Sequence, residues 1–186
     1  MDDQKWNGKI FDENSNIICE LIDGKGKIKA TYDNGQLKFE GEYLNGKLNG
    51  IIKEYYDNGQ LESEVEYLNG ERNGIGKEYY KDGKLKFKGE YLNDERNGKG
   101  EEYYSHGKLK FEGYYLNGKR WNGKRKKYNR LNYNMSYNCE YLDGDINGEG
   151  RTYDVNGDLI FIGEFLNGIK NGKSKRICKK WREIII

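Results

Sequence analysis

Few residues in this chain could do chemistry. The one histidine, His106, offers a general base or a metal ligand, but no second His supplies the partner that such sites need. His106 stands where Asn34, Asn58, Asp82 and Asn156 stand in neighbouring segments, so it reads as a turn residue that tolerates positive φ. The cysteines Cys19, Cys139 and Cys178 lie far apart, without the clustered spacing of metal ligands or a disulfide framework. The stretch from Gly168 to Ser174, GIKNGKS, is one residue short of a phosphate loop. Glu42, Glu66, Glu90, Glu140 and Glu164 recur at one position, but strand spacing sets such residues about 9–10 Å apart. They read as a solvated polar face, not an acid–base pair. No catalytic residue, metal ligand or cofactor is expected, and the chain reads as a non-enzyme.

Charge is the asymmetric feature. Residues 1–100 carry 16 basic and 20 acidic side chains, and residues 101–186 carry 17 and 11. No acid lies between Glu112 and Glu140, where Lys119, Arg120, Lys124, Arg125, Lys126, Lys127 and Arg130 cluster. A second group comprises Lys170, Lys173, Lys175, Arg176, Lys179, Lys180 and Arg182, with Trp181 beside it. Basic clusters attract anionic lipid and Trp favours the interfacial zone, so these residues are candidate contacts for an anionic membrane or a protein partner. The net charge of +2 and the lack of a recognition motif argue against nucleic acid.

The elements that must position these residues follow from a repeat. Asn-Gly pairs recur with their glycines at 50, 74, 98, 123, 148 and 172, at intervals of 24, 24, 25, 25 and 24. Trp121 is an extra residue at one long interval, and Leu131 to Asn134 lengthen a turn at the other. Within a unit, Leu85, Phe87, Gly89 and Tyr91 alternate with Lys86, Lys88 and Glu90, which is the pattern of a half-buried strand. The pairs Asn34-Gly35, Asn58-Gly59, Asp82-Gly83, His106-Gly107 and Asn156-Gly157 predict two-residue type I′ hairpin turns. Second glycine-rich segments, such as Asn45 to Gly50, join one hairpin to the next. The repeat glycines Gly41, Gly89, Gly113 and Gly163 fall on the apolar face between aromatic neighbours, so rings are expected to lie across them. With 26 Gly, 17 Tyr and no Pro, tyrosine and phenylalanine must bury what a low aliphatic content cannot. Expected anchors are Leu85, Phe87, Tyr91, Leu109, Phe111, Tyr115, Phe161 and Phe165.

These residues resemble the MORN (membrane occupation and recognition nexus) repeat. The matching stretches are Phe39 to Gly46, Phe87 to Asn93, Phe111 to Gly118 and Phe161 to Gly168, followed by Gly-x-Gly as in Gly74-Ile75-Gly76, Gly98-Lys99-Gly100 and Gly148-Glu149-Gly150. Val65, Cys139 and Cys19 replace the mid-strand glycine, Arg125 and Ser174 replace the second glycine of Gly-x-Gly, and Asp94 replaces another. Units two and five are therefore expected to be less regular. The resemblance implies an all-β fold: an elongated, twisted, single-layer array of antiparallel β-hairpins without significant helix. It also implies scaffold, dimerisation or membrane-tether roles.

The organisation expected is a degenerate repeat or cap over 1–24, the hairpin array over 25–170, and a half-repeat with a basic tail over 171–186. The function expected is a scaffold or protein-interaction module, with peripheral binding of phosphoinositide-containing membrane as the runner-up. Partners would be proteins, a second copy of the chain, or anionic membrane. The polar N-terminal stretch and sparse cysteines suggest a cytoplasmic setting, at a membrane or cytoskeletal structure.

Overall fold

A computed structural model of the chain describes residues 7–11, 15 and 17–176. Among them fifteen strands and no helix form one antiparallel sheet whose strand order follows the sequence. The strands are β1 (Gly8–Phe11), β2 (Ile17–Leu21), β3 (Lys25–Thr31), β4 (Leu37–Leu44), β5 (Lys47–Tyr55), β6 (Leu61–Leu68), β7 (Glu71–Tyr79) and β8 (Leu85–Leu92). They continue as β9 (Glu95–Tyr103), β10 (Leu109–Leu116), β11 (Lys119–Tyr128), β12 (Met135–Leu142), β13 (Asp145–Tyr153), β14 (Leu159–Leu166) and β15 (Ile169–Arg176). The expected single-layer hairpin array is the observed fold.

The two edges of the sheet use different turns, and the expected type I′ positions are corrected. At the first edge Gly35 N–H donates to the Tyr32 carbonyl at 2.8 Å and Tyr32 N–H to the Gln36 carbonyl at 2.8 Å. Gly35 has φ 79°, whereas Asn34 has no positive φ. This is a three-residue loop, a type I turn closed by a left-handed glycine. The turns at 56–60, 80–84, 104–108 and 154–158 repeat it. The residue before each Asn or Asp joins the loop, so Asn34, Asn58, Asp82, His106 and Asn156 stay right-handed. Asn34 and Asn58 instead accept a backbone N–H two residues on, from Gln36 at 3.0 Å and Gln60 at 3.1 Å.

True type I′ turns lie at the other edge. Asn45 and Gly46 have φ of 51° and 73°, and Asn117 and Gly118 of 48° and 74°. Asp94 holds the second position at φ 67°, a conformation its short polar side chain allows. Asn45-Gly46 thus links hairpins as expected, whereas the Asn-Gly pairs at 49–50, 73–74 and 97–98 lie inside strands. Gly74 and Gly98, at φ 119° and 96°, form bulges in β7 and β9.

The core is a line across the strands. Gly76 pairs with Gly89, Gly89 with Gly100, Gly100 with Gly113, and Gly113 with Gly123. Rings occupy the space above. A Cβ on Gly100 would stand 2.8 Å from Phe87 Cε2 and 3.1 Å from Tyr115 Cε2. Phe87 and Phe111 are fully buried and meet Tyr115 edge-on at 5.3 and 5.2 Å. Of the expected anchors, Phe87, Tyr91, Phe111, Tyr115 and Phe161 are buried, while Leu85, Leu109 and Phe165 are half-buried.

Unit two does not pack less regularly. Val65 fills the glycine slot, is fully buried and belongs to the Phe87–Phe111 cluster. The N-terminal end differs in kind. There Leu21 and Ile28 form the buried centre, and the gap at Gly41 is filled by the Ile52 side chain, not by a ring.

Candidate interaction faces

A single sheet leaves its core open to water unless side chains roof it. Cross-strand register sets what forms that roof. Phe87 faces Glu78 on one neighbour and Glu102 on the other, so both carboxylates stand on the aromatic face. Arg96 pairs with Tyr91, which puts its guanidinium there too, 3.9 Å above the Phe87 ring. Glu78 accepts the Tyr91 hydroxyl proton and an Arg96 N–H at 2.7 Å. A bulge between Leu85 and Phe87 turns Lys86 onto the same face, 3.0 Å from Glu78. One repeat later, Glu102 receives Tyr115, Arg120 and Lys110 in the same manner. One repeat earlier, Arg72 reaches Glu54 at 3.0 Å and donates to the Tyr67 hydroxyl at 3.1 Å.

This Glu–Tyr–Arg ladder is the polar lid of the aromatic core. Burial alone would raise the Glu78 pKa, but hydrogen bonds from Tyr91 and Arg96 and the charges of Arg96 and Lys86 outweigh it and hold the carboxyl at about 2. Glu102 is lowered likewise: burial is opposed by Lys110 and Arg120. Burial and the adjacent carboxylate raise Tyr91, and burial and Glu102 raise Tyr115. The arrangement pairs charges over the aromatic core. This ladder is absent from the expectations drawn from the sequence. Arg72, Arg96 and Arg120 do recur every 24 residues, but the bulge that brings Lys86 onto the aromatic face leaves no mark in the alternation.

A second ladder runs along the first edge. The hydroxyls of Tyr32, Tyr56, Tyr80 and Tyr104 donate to the carbonyls of Tyr55, Tyr79, Tyr103 and Lys126 at 2.7, 2.8, 2.7 and 3.2 Å. It links each turn to the end of a strand in the next unit. His106 lies on this edge, stacked on Tyr104 at 5.2 Å and against Tyr133 at 4.6 Å.

On the opposite face, the recurring glutamates are exposed except for the half-buried Glu140, and two of them have a structural task. Glu66 accepts the Ile75 N–H at 3.0 Å and Glu140 the Glu149 N–H at 3.1 Å, each capping a bulge at the Asn-Gly glycine. A shallow groove of about 480 Å³ on this face has Gly89, Gly100 and Gly113 as its floor, with Ile75, Glu90 and Tyr114 along its walls.

The structure divides the first basic cluster rather than uniting it. Arg120, Arg125 and Lys127 stand on the aromatic face, Lys124 and Lys126 on the opposite face, and Lys119 and Arg130 at the two edges. Arg120 is engaged by Glu102, and Lys126 lies 3.7 Å from Glu112. In the second cluster Lys170 sits 4.1 Å over the Phe161 ring. Lys173, Lys175 and Arg176 belong to β15, whereas Lys179, Lys180, Trp181 and Arg182 lie outside the described residues, as does Cys178. Cys139 fills the glycine slot it was expected to fill; burial raises its thiol to about 11. Gly163 pairs with Gly150 across β13 and β14.

Comparison with known proteins agrees with this geometry. The MORN repeat variant matches residues 24–45, 48–69, 72–93 and 96–117, and the MORN repeat matches residues 161–180. The chain belongs to the MORN repeat family. No curated protein matches it. The MORN matches skip residues 118–160, the segment that holds Trp121, Arg125, the lengthened turn and Cys139.

Proposed function

We propose that this MORN-repeat chain is a non-enzymatic scaffold whose faces bind other proteins. The supporting observation is the ladder. It presents a regular row of paired Arg, Glu and Tyr groups over a fixed core, repeated from β5 to β11, and no group in it is arranged to transfer a proton or attack a substrate. Arg and Tyr on a rigid surface make strong interface anchors. The test is affinity capture with the full chain, alongside a variant carrying Arg96→Ala and Arg120→Ala. A protein retained by the first and lost by the second supports the reading; failure of the full chain to retain any protein overturns it.

The second reading is peripheral contact with anionic membrane, favoured by the excess of bases after residue 100. The cations point to both faces and both edges, so a flat bilayer would meet only part of them at once. Co-sedimentation with phosphoinositide vesicles and neutral vesicles at low salt tests it. Equal binding to both ends the lipid reading.

A further inference from the structure

The ladder shows what a site on the aromatic face holds when complete: a carboxylate received by Arg, Tyr and Lys. At β11 that carboxylate is missing. The extra residue Trp121 is accommodated by a slip in pairing. Between β8 and β9, Gly89 pairs with Gly100 and Phe87 with Glu102. Between β10 and β11, Gly113 pairs with Gly123, and Phe111 is left facing Arg125. On the other side of β11 the register is regular, and Lys127 faces Tyr137 as Glu102 faces Phe111. Counted from either neighbouring strand, a cation occupies the place of a ladder glutamate.

These cations meet no acid among the described residues. Arg125 donates to the Tyr141 hydroxyl at 3.2 Å and lies 5.7 Å from the Tyr137 ring, but its buried Nε has no partner among the described residues. Lys127 is exposed, with its Nζ 5.9 Å from the same ring and no ion pair among the described residues. The next strand offers Thr152 at the glutamate position. Tyr141 occupies the place of Tyr91 and Tyr115, whose hydroxyls donate to Glu78 and Glu102.

We propose that Arg125, Lys127, Tyr137 and Tyr141 form a receptor site for a carboxylate side chain in an acidic peptide segment of a protein partner. This site rests on the interaction reading above and specifies its chemistry. A peptide suits it better than a bilayer. The acceptor must enter between side chains on one face, while Lys124 and Lys126, which a membrane would equally attract, stand on the other.

The test measures binding of fluorescent hexaglutamate to the full chain by anisotropy at low salt, with hexaglutamine as the neutral control. Lys127→Glu restores the ladder residue and fills the site from within; Lys124→Glu makes the same charge change on the opposite face. We expect hexaglutamate but not hexaglutamine to bind, Lys127→Glu to weaken binding about tenfold or more, and Lys124→Glu to change it less than about twofold. Equal loss in both variants, or no preference for hexaglutamate, overturns the site. So does binding to phosphatidylserine vesicles that hexaglutamate does not compete. If a captured partner is retained equally by the wild type and Lys127→Glu, this site is refuted while the scaffold reading stands.

Discussion

Strands β5 to β10 and strands β11 to β15 share one sheet and one repeat, yet they close their cores differently. In the first group each buried ring lies beneath a guanidinium that is itself neutralised by a glutamate. In the second, Lys127 and Thr152 hold the glutamate positions, Ile146 takes the arginine position opposite Tyr141, and the lengthened turn ends the edge ladder of tyrosine hydroxyls. A one-residue insertion, absorbed by a register slip, separates a self-satisfied region from one with free positive charge. Repeat proteins tolerate this because each unit depends mainly on its neighbours.

The largest expected break in this comparison is in the ring core. Phe87→Ala removes a fully buried ring from a cluster of five buried residues and should cost about 3–5 kcal/mol. Phe161→Ala, outside that cluster, should cost less, as urea unfolding of the two variants would show. Next comes the charge ladder. Glu78→Ala leaves Arg96 and Lys86 without their acid and should cost about 3 kcal/mol. Thr152→Ala, at the corresponding place in β13, should cost about 1 kcal/mol or less.

The same acid sets a pH dependence. The folded pKa of Glu78, about 2, is depressed below its ordinary 4.5. Its stabilisation is therefore complete above about pH 4.5 and is lost as pH falls towards 2. Glu78→Gln should flatten that acid limb of a stability–pH curve. Lys127→Glu should sharpen the comparison from the other direction, raising stability by about 1 kcal/mol through a new acceptor for Arg125. The smallest contrast is at the edge. Tyr80→Phe removes a 2.7 Å hydrogen bond to the Tyr103 carbonyl and should cost about 1 kcal/mol. Tyr128→Phe, beyond the end of that ladder, should be close to neutral.

Much of the fold was legible because its signals are local. Leu85, Phe87, Gly89 and Tyr91 alternate within one strand, and their period predicts which side is buried. The type I′ turns were misplaced because Asn34-Gly35 and Asn45-Gly46 look alike as pairs. Only the preceding Asp33 and the hydrogen bonds of Tyr32 distinguish a three-residue loop from a two-residue one. The caps made by the recurring glutamates are not legible in the sequence, because a carboxylate's cap on a bulge belongs to two strands at once.

The repeat, the antiparallel sheet, the glycine gaps and the excess of base after residue 100 are legible along the chain, since each follows from side-chain period, size or charge. Which charges meet depends on how the strands pair. A bulge carries Lys86 onto the aromatic face, and the slip at Trp121 sets Arg125 opposite Phe111. The physical reason is that a residue's face is fixed by its own strand, whereas its partner is fixed by the register of the next.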